Sequence, residues 1–450
     1  MDTKAKLVYE EKRRFVAGID IASRANHFVC GPRNDVGERE IVSFGTTTPE
    51  LYKMLHWLQE RKVESVVIES TGVYWRAPLE LLEKNGIEVV LVDPRKVKMI
   101  PKKKSDVKDC DWLQYLHSCD MLEGAFRPQE AIVAVRSILR EQNNLIKMRA
   151  QVILQMQKSL DQMNICIHKA VSDIDGVTGK AIIKAIINGE RNPHILASLR
   201  DKRCKKSIKE IAEHLTGTWR EEHLFILEEA FNTMCFLDDR IANYDKKVEK
   251  LFATLAENND KDDTPLPPSL SEPKKTARER QNLDSKIDLF KIMGFDLTSV
   301  PGIGYDLAKI IVSELGPCFY RFKNEKAFVS YIGLAPNVGK SAGRNVRQKK
   351  YVNTSRVGHY LRIAATSVGR TATALGEYFR SIQRRKDYKT AVKTLARKLA
   401  HLIFRGVRFG KEFVDSGIEA YENMQREKSV KWTKKLIMKY NINSLELGLG

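Results

Sequence analysis

Short apolar runs between residues 14 and 93 restrict the first part of this chain to a sheet with helices packed against it. They predict five strands, at 15–20, 27–30, 40–44, 66–69 and 89–92, because each run has strand length and is bounded by turn residues. Leucines at helical spacing follow Thr48-Pro49-Glu50, which is typical of a capped helix start, and 77–84 predicts a second helix. With a helix expected from Asp106, the order is βββαβαβα.

Loop lengths predict how these strands pair. The first three strands are joined by short loops and should form antiparallel hairpins, whereas the helical crossovers that follow favour parallel neighbours. We therefore expect a mixed sheet. Its order resembles that of the ribonuclease-H-like fold.

Four acids are candidates for one site. Asp20 and Glu69 end two predicted buried strands, where acids are rare, and Asp106 and Asp109 share one face of the helix that starts at Asp106. Clustered carboxylates need a neutralising cation, and oxygen ligands select Mg²⁺ or Mn²⁺ over zinc. Such a cluster predicts a two-metal site that acts on phosphodiesters.

Each acid also has a structural alternative, which the sequence leaves open. Asp106, behind Ser105, can cap a helix, Asp109 can be a solvated helix residue, and Asp20 can cap a turn. Asp93 and Asp111 compete for the site, although Asp93 precedes a proline and is typical of a turn.

Heptad spacing predicts two long helices with coiled-coil seams. The first seam contains Leu139, Ile146, Ile153 and Leu160, and the second contains Leu227, Met234, Ile241 and Val248. The helices can pack on each other or on another protomer. Prolines among charged and small residues in 257–280 predict a flexible linker, and a Lys-rich polar tail is expected from 428 to 450.

The charge balance points to a polyanionic partner. Lys and Arg number 77 against 57 Asp and Glu, a formal net charge of +20, and the basic residues recur in clusters. Nucleic acid is the expected partner. The seven cysteines show no disulfide or zinc spacing, and no apolar stretch approaches a membrane span, so a cytoplasmic protein without membrane contact is expected.

The basic C-terminal half contains two further candidate nucleic-acid contacts. Residues 300–304 resemble a helix-hairpin-helix turn, in which Gly302 and Gly304 let backbone N–H groups approach a phosphate. Ser341 lies among small and basic residues and is a conceivable nucleophile, although Tyr351, Thr354 and Ser355 are equally placed to contact a backbone. The basic residues predicted to bind nucleic acid here are Lys340, Arg344, Arg347, Lys349 and Lys350.

Several motifs in a shared order resemble the DEDD transposases of the IS110 insertion-sequence family. The N-terminal motifs are Gly18-Ile19-Asp20, Ile68-Glu69-Ser70-Thr71-Gly72-Val73-Tyr74-Trp75, Asp93-Pro94 and Lys104-Ser105-Asp106-Val107-Lys108-Asp109. The C-terminal motifs are Pro301-Gly302-Ile303-Gly304, Gly333-Leu334-Ala335-Pro336, Ser341-Ala342-Gly343 and Ala396-Arg397-Lys398-Leu399. The resemblance covers about 15–120 and 298–413.

This resemblance implies a RuvC-like N-terminal domain with the ribonuclease H fold, whose acidic tetrad is Asp20, Glu69, Asp106 and Asp109. It also implies a helical transposase domain with a catalytic serine, which by motif position is Ser341. The implied partners are double-stranded donor and target DNA, a bridge RNA that pairs with both, and further copies of the chain in a dimer or tetramer.

The chain departs from the family pattern at two motifs. Ser105 and Cys110 replace a threonine and an alanine around the paired aspartates, which keeps the acids and their spacing. Ala342 separates Ser341 from the expected glycine, which leaves the register of the serine open.

The predicted domains are 1–127 (RuvC-like, catalytic), 128–256 (helical, coiled coil), 257–285 (flexible linker), 286–427 (helical transposase domain with the serine) and 428–450 (polar tail). Two other functions stay open: a RuvC-like junction endonuclease that uses water in place of serine, and a nucleic-acid-binding protein whose metal site is inactive.

Overall fold

The structure is a computed structural model that describes residues 10–22, 26–34, 37–70, 72–97, 106–259, 265–271, 282–336, 339–341, 344–346 and 355–440. The chain divides into two compact units, Met1–Arg127 and Pro128–Gly450.

The first unit is built on a five-stranded mixed sheet. Its strands are β1 (Val16–Asp20), β2 (His27–Arg33), β3 (Arg39–Phe44), β4 (Ser65–Glu69) and β5 (Glu88–Val92), in the spatial order β3-β2-β1-β4-β5. β1, β2 and β3 pair antiparallel, whereas β4 is parallel to both β1 and β5. The predicted mixed sheet is confirmed, because short loops allow only hairpins and helical crossovers allow parallel neighbours.

Helices cover both faces of this sheet. They are α1 (Thr48–Glu60), α2 (Arg76–Lys84), the short α3 (Pro94–Val97) and α4 (Asp106–Ser118). Alternate strand residues face opposite sides. Ile19 and Ile68 lie in the core with α1 and α2, and Val67 and Val92 lie in the core with α4. The helix expected at Asp106 is present, with Asp106 as the first described residue of α4, and the cap of α1 is Thr47 rather than Thr48.

The second unit is helical apart from one small hairpin, within the described residues. Its strands are β6 (Gly339–Ser341) and β7 (Arg344–Val346). Its helices are α5 (Glu130–Gln162), α6 (Ile167–Ala170), α7 (Val177–Ile187), α8 (Pro193–Ser198), α9 (Ile208–His214), α10 (Glu221–Glu257), α11 (Pro268–Ser271), α12 (Leu283–Met293), α13 (Tyr305–Leu315), α14 (Glu325–Tyr331), α15 (Arg356–Gly369), α16 (Ala374–Arg385), α17 (Tyr388–Phe409) and α18 (Lys411–Tyr440).

The two long predicted helices, α5 and α10, pack on each other within the chain. Leu160 and Met234 are buried in their shared core. Ile146, a predicted seam residue, is 45% exposed, so α10 does not bury it within the chain. Arg149, about one turn further along α5, forms ion pairs with Asp175 and Asp238. A coiled-coil contact between protomers stays a prediction.

The expected linker at 257–285 contains packed structure. Helix α11 buries Leu270, and the Ser269 hydroxyl donates a 2.6 Å hydrogen bond to the Asp296 carboxylate. Helix α12 begins at Leu283, inside the predicted linker. Leu270 and Ser269 thus pack the described part of this segment against its neighbours. Residues 260–264 and 272–281 lie outside the described part.

Residues 428–440 of the predicted polar tail are helical as part of α18 (Lys411–Tyr440), and 441–450 lie outside the described part. The lysines of α18 are good helix formers despite their polarity. In the described part of the chain, no helix is long and apolar enough to cross a membrane.

Candidate active site

Asp20 and Glu69 end two neighbouring parallel strands. Ile19 pairs in register with Ile68, so the next residues, Asp20 and Glu69, lie side by side on strands roughly 4.8 Å apart. Both acids are half-buried, whereas Ile19 and Ile68 are fully buried. The sheet therefore brings together two carboxylates that are 49 positions apart in the chain.

Asp20 and Glu69 lie on the face of the sheet that packs against α4. A Cβ atom at Gly18 would lie 2.5 Å from the carbonyl oxygen of Cys110 in α4, and Val67 packs with Leu113 of the same helix. Because side chains alternate along a strand, Asp20 and Glu69 lie on the face of Gly18 and Val67. The two strand-end acids thus share the α4 side of the sheet.

Helix α4 runs antiparallel to β1 and β4. Near its end, the Gln114 side chain donates a 3.3 Å hydrogen bond to the Val16 carbonyl at the start of β1. His117 Nε2 lies 2.9 Å from the hydroxyl of Ser65 at the start of β4. The first turn of α4 therefore lies toward the carboxyl ends of the strands, where Asp20 and Glu69 are found.

Asp106 and Asp109 occupy that first turn. They come four residues before Cys110 and Leu113, which face the sheet, so they lie on the same side of the helix. Burial raises the pKa of the Cys110 thiol to about 12, and the charge of Asp20 adds to the shift, which indicates that Asp20 lies near this turn. Asp109 is half-buried, and the side chain of Asp106 lies outside the described part.

The competing acids have other contacts. Asp111 forms a 2.7 Å ion pair with Arg39 of β3 and lies 3.9 Å from the Cys30 sulfur, which ties it to the antiparallel half of the sheet. Asp93 follows β5, and its carbonyl accepts from the Val97 N–H to start the short helix α3. Asp111 therefore serves an ion pair, and the backbone of Asp93 forms the turn that its proline predicts.

The donor set at this edge suits a hard cation. Asp20, Glu69 and Asp109 offer carboxylate oxygens, the ligands that Mg²⁺ and Mn²⁺ prefer. Among the described side chains, however, no three acidic, histidine or cysteine residues lie close enough to hold one ion. The described acids alone do not complete a metal site, and Asp106 is the predicted ligand missing from the set.

The predicted serine lies in the small hairpin. Ser341 is the last residue of β6 and pairs with Arg344 of β7, while Lys340 pairs with Asn345. Their side chains lie outside the described part, as do Arg347, Lys349 and Lys350 entirely.

The glycines at 302 and 304 have different surroundings. Gly302 has a φ of +81°, and a Cβ there would lie 2.4 Å from a methyl group of Val368, so its close approach is to α15. Gly304 is the N-cap residue of α13, and a Cβ there would meet no described atom within 4 Å. A phosphate contact at either glycine stays a prediction. At Gly302, the need for a glycine is explained by its packing against Val368.

Two family models match the chain. One describes a DEDD transposase of IS110 and matches residues 17–165, which contain all four predicted acids. The other describes transposases of the IS116/IS110/IS902 family and matches residues 296–380, which contain Ser341. Together they cover more than half of the chain. It belongs to the IS110 family of transposases. As such a transposase, it is an enzyme that cuts and rejoins DNA. No curated protein matches the chain.

Sequence reasoning missed two features of this transposase. Gly18 allows α4 to lie directly on β1, and a glycine inside a buried strand is a signal of close backbone approach. Glu314 forms ion pairs with three arginines from two other helices. The spacing of Arg136 and Arg140 marks one helix face, but nothing in the sequence connects it to Glu314.

Proposed function

We propose that this IS110 transposase exchanges DNA strands at a composite site. Asp20, Glu69, Asp106 and Asp109 hold Mg²⁺ or Mn²⁺ in a RuvC-like domain, and Ser341 is the nucleophile. The observation that carries the acid set is the meeting of β1, β4 and the first turn of α4 at one edge of the sheet. The DEDD family match over the same residues supports it.

Bound cations at these carboxylates would stabilise negative charge on the oxygens around the scissile phosphorus. The Ser341 hydroxyl attacks phosphorus and loses its proton, a P–O bond to the sugar breaks, and the released hydroxyl takes up a proton. The Ser341–DNA ester keeps the energy of the phosphodiester. Attack on this ester by the hydroxyl of another strand rejoins the DNA, so no nucleotide cofactor is consumed.

The partners in this proposal are donor and target duplexes, a guide RNA that pairs with both, and further copies of the chain. In the assembled dimer or tetramer, the acids of one protomer act beside the serine of another. The net charge of +20 supports nucleic-acid partners of either kind.

Replacement of one strand-end acid tests the metal site. In Asp20→Asn we expect strand cleavage in Mg²⁺ to fall by at least about 10³, with DNA binding retained, because a ligand is lost without a change of shape. Asp120→Asn is the matched control, since Asp120 is exposed, lies in the same unit and has a φ of +57° that asparagine tolerates. Cleavage and gel-shift assays measure both. Equal cleavage by wild type and Asp20→Asn would refute the site and favour an inactive binding protein.

Trapping tests the serine. Denaturing gels of the wild type with labelled duplex should show a covalent protein–DNA adduct that Ser341→Ala lacks. Ser367→Ala, at an exposed serine of α15, should keep the adduct. If Ser341→Ala still releases nicked DNA, water is the nucleophile and the junction-endonuclease alternative replaces the serine step.

A further inference from the structure

Three arginines converge on one buried carboxylate in the second unit. Glu314 lies near the end of α13, and its side chain is 7% exposed. It accepts hydrogen bonds from Arg136 and Arg140, one turn apart on α5, and from Arg356, the first residue of α15, at 2.7 to 3.1 Å. The cluster therefore ties three helices together.

The carboxylate of Glu314 already accepts about as many hydrogen bonds as it can. Each of its oxygens accepts two hydrogen bonds, which is about the four that a carboxylate can take. Three guanidinium groups offer about fifteen N–H donors. The Tyr331 hydroxyl accepts one more from Arg136. Most of the donors of the cluster thus need acceptors other than Glu314.

The cluster also carries excess positive charge. Burial would raise the pKa of Glu314, but the hydrogen bond from Arg140 and the charges of the arginines hold it below its usual value, so the carboxylate is ionised. Among the residues that the structure describes, no second carboxylate lies within 4 Å of these guanidinium groups. Three cations against one anion leave two positive charges.

The surroundings favour an anion that arrives from solvent. Arg140 is 44% exposed. Arg356 begins α15, whose N-terminus adds partial positive charge, and Ser355 caps it. The chain between Tyr331 and Arg356, both at the cluster, is the segment that carries Ser341. An anion bound here would lie at the base of that segment.

We propose that Arg136, Arg140 and Arg356 clamp a backbone phosphate of duplex DNA and that Glu314 holds the three side chains in place. A phosphate offers several acceptor oxygens and the negative charge that the cluster lacks, and guanidinium groups bind it with paired hydrogen bonds. The proposal rests on the DNA substrate of the proposed function but not on its nucleophile or metal. Binding is therefore the property to measure.

The test compares DNA binding across salt concentrations. Arg140→Gln removes one charge and leaves Glu314 paired with Arg136 and Arg356. We expect duplex affinity of the full chain to fall roughly fivefold at fixed salt. The slope of log affinity against log salt should become shallower by about 0.9, as for one lost phosphate contact. Arg140→Lys keeps the charge and should keep most of the slope. Fluorescence anisotropy with a labelled duplex measures both quantities.

Lys158→Gln is the matched control. It removes the same charge from an exposed position of α5, 18 residues and about 27 Å from Arg140, and should leave the slope unchanged.

Equal loss in both variants would mean a general charge effect and overturn the clamp. A lower melting temperature with unchanged affinity and slope would show a purely structural cluster. A loss seen only with duplex RNA would overturn the assignment to DNA. Arg356→Gln repeats the test if Arg140→Gln does not fold.

Discussion

A buried histidine makes the first unit sensitive to acid. His117 is 2% exposed, and its Nε2 lies 2.9 Å from the Ser65 hydroxyl at the start of β4. Burial lowers the pKa of His117 to about 4, and the nearby Arg13 charge adds to the shift, so the ring is neutral at pH 7. Protonation must then bring a charge into the interface between α4 and the sheet, which is the packing that positions Asp109.

This pKa predicts the direction of a pH effect on stability. Because the folded value, about 4, lies below the ordinary value of 6.5, the unfolded state binds the proton more readily. The free energy of unfolding should therefore fall as the pH drops from 6.5 to 4, by up to roughly 3 kcal/mol. Melting temperatures across this range should show that His117→Gln loses this component. His56→Gln, at an exposed histidine, should retain it, and identical profiles for wild type and His117→Gln would contradict the prediction.

At the scale of elements, the contact between β1 and α4 sets where the first turn of α4 lies relative to the strand ends at Asp20 and Glu69. Gly18 has no side chain, so the helix backbone at Cys110 and Gln114 lies directly on the strand, with only 2.5 Å to the position a Cβ would take. Any larger residue at 18 would push α4 away from the sheet and separate Asp109 from Asp20. The raised pKa keeps the Cys110 thiol protonated at neutral pH, so the family departure at this position adds no charge beside the acids.

At the scale of the whole molecule, the formal net charge of +20 favours contacts with nucleic-acid backbones. Phosphate contacts supply affinity but no sequence information. If the chain contacts DNA mainly through the phosphate backbone, sequence specificity needs another source, and the guide RNA of the proposed function is one by base pairing.

Purification of the full chain from cells that carry its complete element tests the guide. Sequencing of the bound nucleic acid should yield one discrete, structured RNA, and nuclease-treated protein should regain site-specific recombination only when that RNA is added. Recombination by RNA-free protein at unchanged specificity would contradict the guide and shift recognition to the protein itself.

The sequence determined the sheet of this transposase and the identity of its candidate acids. The chain order of strands and helices, the mixed pairing and the helix that contains Asp106 follow from local patterns, because run length and loop length act over a few residues. Asp20 and Glu69 stood out because acids rarely end buried strands. Composition and spacing do not show which surface a neighbour covers: Leu270 is buried inside the predicted linker at 257–285, and Ile146 of the predicted seam is exposed.

Only the tertiary structure decided which residues meet. The antiparallel run of α4 across β1 brings Asp109 toward Asp20, and it depends on a backbone contact at Gly18 that no spacing reveals. The packing of α5 against α13 and α15 places Arg136 and Arg140 on Glu314, more than 170 residues away in the chain. Burial and charge pairing depend on contacts between distant segments, whereas local sequence patterns reflect only neighbours along the chain.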